Sequence, residues 1–442
     1  MNILVVQLAK LGDIFQSSYS IDKIRRLFPQ SKIYFLCSSI FKEAGKFLDA
    51  DKILSLNLDK IAQKSEDKIS FLDNDEAKKA LEKINNIGFD IAINLNISEL
   101  AQNLFSRITS NKKFGYYSNH QESLEWLYFV LSFIKTRKLA SINLVDVYRH
   151  SFFISKSQKI VHKSIQSKEK IICFSLGTRN LKRNWDVENF VKLAELFSQS
   201  NYKIYLIGSK SESENGRFFL ESYDGKSPIY NVIGKTNISE LVELISKSSL
   251  LVSGDTGSMH IASYYSTPTI AIFSGPAYPY ETAGYFAENK ITTFNNNLDC
   301  YPCNEETVCL NNFVCNKHLT PQYIYDIYKN NADFYKPIYD EIGQFLIKKE
   351  NNSEDFIMTM FYRDFALKYF FQSALDFENL KPNFTEKSYE KAVKLMRREF
   401  KVYSLSNSES SDSYFLKPYF YLKKLLPNHQ ITKDLFEYLQ SI

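Results

Sequence analysis

Residues 250–273 read LLVSGDTGSMHIASYYSTPTIAIF. Leu250 to Ser253 is an apolar run that ends at a Gly-flanked turn. A helical pattern follows from Ser258 to Tyr265, and Thr269 to Phe273 is a second apolar run rich in β-branched residues. Strand, helix and strand in such quick succession predict a crossover between parallel strands, which an antiparallel hairpin would not need. The pattern repeats upstream, with strands expected at Ile171–Leu176 and Tyr202–Ile207 and helices at Val187–Ser198 and Ile238–Lys247. A second series opens the chain: Ile3–Leu8 as a strand, a helical pattern through Phe28, then strands at Lys32–Ser38 and Phe89–Leu95. Apolar strands alternating with amphipathic helices predict parallel α/β sheets covered on both faces.

The chain has 442 residues, enough for two or three domains. Two α/β lobes are expected, residues 1–160 and 168–325, separated by the polar stretch Lys156–Lys170. A helical segment, 326–350, is expected to return towards the first lobe, and the polar run Lys348–Asp355 reads as a linker. Beyond it, residues 356–442 hold 19 Phe or Tyr among 87. Phe361, Phe365 and Tyr369 fall at helical spacing there, as do Tyr389, Val393 and Met396, so a helical aromatic-rich extension is expected.

Hydrophobic residues at 44% and charged residues at 24% exclude a largely disordered chain. A net charge of +5 is too small for a nucleic-acid binder. The N-terminus lacks a basic region and a small-residue cleavage site, and no apolar run approaches a membrane span, so a cytoplasmic protein is expected. Its six cysteines are then thiols or metal ligands rather than disulfides. Cys37 and Cys173 lie inside strand-like runs and read as core.

Three blocks carry candidate chemistry. Lys10-Leu11-Gly12-Asp13 stands at the carboxyl end of the first strand, where open α/β sheets bind ligands. Asp13 reads equally as an N-cap carboxylate or as a general base. Ser253 to His260 places a turn and a helix start after a strand. Its backbone N–H groups and the Thr256 and Ser258 hydroxyls suit an anion, although an ordinary capped turn has the same pattern. Ser175 to Trp185 follows a strand with Arg179, Lys182, Arg183 and Thr178, either a diphosphate clamp or a solvated basic loop. Neither G-x-G-x-x-G nor the P-loop pattern occurs, which argues against dinucleotide oxidoreductases and P-loop nucleotidases.

Together these blocks resemble glycosyltransferase family 9, the ADP-heptose:lipopolysaccharide heptosyltransferases. Leu11-Gly12-Asp13-Ile14 with Gln16-Ser17-Ser18 is similar to the family's opening, and Lys182, Arg183 and Trp185 to its K-R-W-P segment, with Asn184 intervening and Asp186 in place of the usual Pro. Gly234-Lys235-Thr236 resembles a further motif. Asp255-Thr256-Gly257, Met259-His260, Thr267-Pro268-Thr269 and Phe273 to Pro276 are its most specific part. The resemblance covers residues 1 to about 325.

It implies a GT-B fold, two Rossmann-like lobes facing a central cleft, and inverting sugar transfer with no metal or other cofactor in catalysis. Asp13 would be the general base, with Lys10, Gly12 and Ser17 near the active site. Thr178, Lys182 or Arg183, Glu212, Thr236, Asp255, Thr256, Gly257, Ser258 and His260 would bind a nucleotide-sugar donor, ADP-heptose above others. The acceptor would be lipopolysaccharide core, or alternatively a protein or surface polysaccharide. A catalytically silent nucleotide-sugar-binding scaffold is a third reading, disfavoured by the presence of both Asp13 and the Asp255–His260 block. Lys112 and Lys113 would meet acceptor phosphates or carboxylates, or form a solvated basic turn. Peripheral contact with the inner face of the membrane stays open, as does the oligomeric state. Cys300, Cys303, Cys309 and Cys315 could hold a structural Zn or Fe, the alternatives being free thiols or a redox sensor.

Overall fold

The computed structural model describes residues 1–58, 75–116, 121–134, 142–154, 168–178, 180–198, 201–285, 291–294, 298, 300–330, 335–348 and 354–373, with isolated positions beyond. The first lobe is a five-stranded parallel sheet in the order β3-β2-β1-β4-β5. Its strands are β1 (Asn2–Val6), β2 (Lys32–Ser38), β3 (Lys52–Leu56), β4 (Phe89–Asn94) and β5 (Ser110–Gly115). Period-two alternation decides which side each residue serves. Ile3 and Val5 face a core built with Ile14, Phe15 and Ile21 of helix α1 (Leu11–Leu27). Leu4 and Val6 face the opposite core, with Leu81 and Ile84 of α2 (Asp75–Asn85) and Leu104 and Phe105 of α3 (Glu99–Ser106). Helices α4 (Gln121–Ile134) and α5 (Leu144–His150) follow.

The second lobe is a six-stranded parallel sheet in the order β11-β10-β9-β6-β7-β8. Its strands are β6 (Glu169–Ser175), β7 (Lys203–Ile207), β8 (Ile229–Asn231), β9 (Ser248–Ser253), β10 (Thr269–Phe273) and β11 (Ile291–Phe294). Helices α6 (Val187–Phe197), α7 (Ser213–Ser222), α8 (Ile238–Lys247), α9 (Gly257–Tyr264) and α10 (Pro321–Lys329) connect and cover it. One apolar cluster crosses between the lobes: Phe15 of α1 packs on Tyr264 of α9 with ring centroids 5.7 Å apart, and the two helices run against each other. Cys37 and Cys173 are fully buried, as expected.

The segment 326–350 departs from expectation. Helix ends at Lys329, and an antiparallel hairpin of β12 (Tyr335–Tyr339) and β13 (Gln344–Lys348) follows. Pro337 cannot sit in a helix interior without breaking it, and Gly343 at φ +144° supplies the turn that only glycine adopts readily. The hairpin does reach the first lobe: the His150 ring stands 2.7 Å from the Ile342 carbonyl and the Gln344 N–H donates to Asp146 at 3.1 Å.

Helix α11 (Glu354–Phe371) opens the extension. It carries Phe361, Phe365 and Tyr369 as expected, and its Phe361, Phe365 and Phe371 join one core with Trp126 and Phe129 of α4 and Phe345 of the hairpin. Arg363 is fully buried on this helix and pairs with Asp340 at 2.6 Å. Tyr389, Val393 and Met396 lie outside the described residues. No described helix is long and apolar enough to cross a membrane.

Candidate active site

β1 and β9 are each followed within a few residues by a helix start, and these two starts meet across the lobes at Gly12 and His260 and at Leu11 and Gly257. On the first lobe, Asp13 sits in the first turn of α1, where its Oδ2 accepts the Lys10 N–H at 3.0 Å. Asp13 is therefore not the N-cap, which is Lys10, but the third residue of the helix, and one of its carboxylate oxygens takes the N-cap N–H. Ser17 is buried one turn later and donates to the Asp13 carbonyl at 2.8 Å, so its hydroxyl serves the helix backbone. Burial raises the Asp13 pKa. The Lys10 N–H bond and the charges of His260 and Lys10 pull it back, while Asp255 adds to the rise.

On the second lobe, Thr256 is the extended N-cap of α9, and Gly257 lets the helix start against Leu11, whose Cβ would stand 3.2 Å from a Cβ at 257. Ser258 and His260 are buried in the first turn. Burial lowers the His260 pKa, against the opposing pull of Asp255 and Asp13. The ring sits against Gly12 of the other lobe. Thr256 shares a 2.8 Å hydrogen bond with Ser253, which fixes the turn.

The two cations of the basic loop take different places. The Arg183 guanidinium pairs with Asp255 at 3.0 Å and also meets Glu305, so it stands beside the α9 start. Lys182 turns the other way. Its ammonium donates to the carbonyls of Asn304 and Glu305, both at 2.9 Å, and to that of Thr307. Thr178 lies near Gly254, a Cβ there falling 3.6 Å from its Cγ2, and its hydroxyl donates to the Asn180 carbonyl at 2.7 Å.

Glu212 lies between Gly177 and Gly208, the glycines just beyond β6 and β7. A Cβ at Gly177 would be 2.8 Å from its Oε1, and one at Gly208 would overlap Oε2. Its carboxylate accepts the Ser209 N–H at 2.5 Å and is held at the carboxyl edge of the sheet. Thr236 precedes the Asn237 cap of α8 and is half-buried. Lys112 and Lys113 sit mid-strand on the edge strand β5, away from the strand ends. Lys112 is exposed. The Lys113 ammonium donates to the Phe105 and Ser106 carbonyls at 3.2 and 3.1 Å and so caps the end of α3.

Cys300, Cys303, Cys309 and Cys315 line one cavity of about 180 Å³, with Lys182 and Gly275 in its wall. Among the described residues no group of three or more His, Cys, Asp or Glu side chains is arranged to hold a metal ion. Burial raises the pKa of Cys303 and of Cys315. Through Lys182 and Glu305 this loop touches the basic loop of the site.

One element has no counterpart in the motifs: α5, whose Tyr148 packs in the same core as Ile14 and Phe15 of α1.

With this geometry in place, comparison with known proteins is specific. Residues 78–313 match the model of glycosyltransferase family 9 (heptosyltransferase). The lipooligosaccharide heptosyltransferase 2 of Campylobacter jejuni is 25% identical over 335 residues, 72% of this chain and 95% of that protein. Among solved structures, a family 9 glycosyltransferase from Veillonella parvula superposes with a TM-score of 0.57 at 17% identity, over 74% of this chain and 96% of its own. Escherichia coli heptosyltransferase WaaC with ADP gives 0.57 at 16%, over 75% and 100%. The structural likeness shows the fold, two α/β lobes in the GT-B arrangement.

Proposed function

From the premise that this chain belongs to glycosyltransferase family 9 and is a glycosyltransferase, we propose that it transfers heptose from ADP-heptose to a lipopolysaccharide core acceptor, with inversion, at the junction of α1 and α9. One observation carries this reading: the helix start bearing Asp13 and the helix start bearing Gly257 to His260 are in direct contact across the two lobes. A carboxylate able to take a proton thereby faces a cluster of N–H donors and a cation able to hold a diphosphate.

In the reaction, the acceptor hydroxyl oxygen attacks the anomeric carbon of the donor sugar and its proton passes to Asp13. Burial makes that carboxylate a stronger base than one in water, and the Lys10 N–H fixes one oxygen so that the other is presented. The bond from the anomeric carbon to the diphosphate breaks as the new one forms. The leaving diphosphate gathers negative charge, and in this reading the α9 N–H groups and Arg183, which lies beside Asp255, receive it. Glu212, at the ends of β6 and β7, suits a pair of ribose hydroxyls, since a carboxylate offers acceptors only. Work on the cytoplasmic side of the membrane is part of this proposal, because nucleotide sugars are held there.

The test is Asp13→Ala, assayed with ADP-heptose and a heptose-deficient core acceptor, with donor binding followed by calorimetry. Turnover is expected to fall by at least ~10² with donor affinity nearly intact. A variant with full turnover would overturn Asp13 as the base.

A further inference from the structure

The loop 300–316 is fastened down at both ends. The Cys303 N–H donates to the Gly275 carbonyl at 3.3 Å, and the Asn316 amide donates to the Asn184 carbonyl at 2.5 Å. Between these points the Lys182 ammonium donates to the carbonyls of Asn304 and Glu305, both at 2.9 Å, and to that of Thr307. The stretch 304–307 is itself a built turn. Asn304 Oδ1 accepts the Glu306 N–H at 3.0 Å, and the Thr307 hydroxyl donates to the Asn304 carbonyl at 3.1 Å. Backbone held in this way presents the side chain at residue 305 from a fixed point.

That side chain meets Arg183, whose guanidinium lies between two carboxylates. Asp255 takes Nη1 at 3.0 Å; its side chain is only 7% exposed and it directly precedes Thr256, the N-cap of α9. Glu305 takes Nη2, and its side chain is 48% exposed. Nε is buried and has no hydrogen-bond partner among the described residues. Nε and Nη2 form the edge of a guanidinium that an oxyanion takes with two oxygens. Glu305 therefore uses half of a bidentate edge, beside the helix start that carries the anion-binding N–H groups.

We infer that Glu305 competes with the donor's diphosphate for this edge of Arg183: the carboxylate leaves as the diphosphate binds and returns as ADP departs. This rests on Arg183 receiving the diphosphate in the proposed reaction. Two anions cannot share the edge, because their charges repel and both can only accept. Asp255 is enclosed, whereas Glu305 stands at the rim and can turn into water by side-chain rotation while Lys182 keeps the loop backbone in place. The apparent affinity for donor and for ADP is then lowered by the share of molecules in which Glu305 occupies Arg183.

ADP binding to the full chain, followed by calorimetry, tests this without any transfer step. Glu305→Gln keeps the size of an exposed side chain and removes its charge, and ADP is expected to bind about fivefold more tightly. Glu306 is exposed one residue on. Glu306→Gln removes the same charge there and should change the affinity by less than about twofold. Equal tightening in both variants would reduce the effect to overall charge and overturn the competition. So would a Glu305→Gln protein that binds ADP no better than the unaltered one while Arg183→Gln binds it more weakly; the diphosphate role of Arg183 would then stand alone. If Arg183→Gln binds ADP like the unaltered protein, that role fails and Glu305 falls with it.

Discussion

Gly12 and His260 touch across the lobes: a Cβ on residue 12 would stand 2.6 Å from the imidazole Cδ2. The ring is buried on α9, so it must shift to admit any side chain at residue 12. The glycine is therefore required by the approach of two helix starts, and the approach is what brings Asp13 to the anion site.

Gly12→Ala tests this. Alanine is the better helix former by about 1 kcal/mol, so helix propensity alone predicts a protein at least as stable. The methyl group instead pushes α1 from α9, and displacements near 1 Å at reacting groups cost about 10²-fold in rate. Turnover should fall by that order, with an unfolding temperature that changes little. Unaltered turnover would mean that the lobes do not meet this way in the working enzyme.

The two cations of the basic loop should separate by readout. Arg183 bridges Asp255 and Glu305 beside the α9 start, whereas Lys182 is spent on carbonyls of the Cys loop. Arg183→Gln is expected to raise KM for ADP-heptose about tenfold or more. Lys182→Ala should leave that KM nearly unchanged and speed alkylation of Cys303 and Cys315 by loosening their loop. If the KM effects are reversed, Lys182 is the diphosphate ligand.

Local chemistry was legible in the sequence where one strand feeds one helix. The turns at Lys10–Asp13 and Ser253–His260 could be placed because apolar runs, glycines and capping residues are short-range signals, and the helix Ile238–Lys247 was read to its ends. The hairpin at 335–348 was misread as helix although Pro337 and the turn at Asp340–Gly343 were available signals. Which of Lys182 and Arg183 faces the site was not legible, since adjacent residues leave a one-turn helix in different directions. Helix α5 lay in a stretch without any usable motif. The Ile342 carbonyl that its His150 meets is 192 residues away in sequence, which no local pattern encodes. The charged pair Asp146 and Arg149, with His150, in the short run LVDVYRH was the one hint that this helix serves an interface.

That interface should make stability depend on pH through His150. Its Nε2 stands 2.7 Å from the Ile342 carbonyl, so it carries the proton, and Trp126 and Phe371 close over the ring edge-on at 5.3 and 4.8 Å. Burial, with Lys23, Arg149 and Arg363 nearby, holds its pKa well below 6.5, and the ring stays neutral in the folded protein. In the unfolded chain it protonates below about pH 6.5. The unfolded state then binds the extra proton, so the contribution of His150 is complete above that pH and is lost as pH falls through it, by about 1.4 kcal/mol per pH unit. His150→Phe keeps the aromatic packing but leaves the Ile342 carbonyl without its donor, costing about 1–3 kcal/mol at pH 7.5. The variant has no imidazole to protonate, and Asp146 titrates in both proteins and cancels in the comparison. Urea unfolding of the two at pH 7.5, 6.5 and 5.5 should show the gap between them closing as pH falls. Parallel stability curves would mean that His150 is not held neutral by this interface.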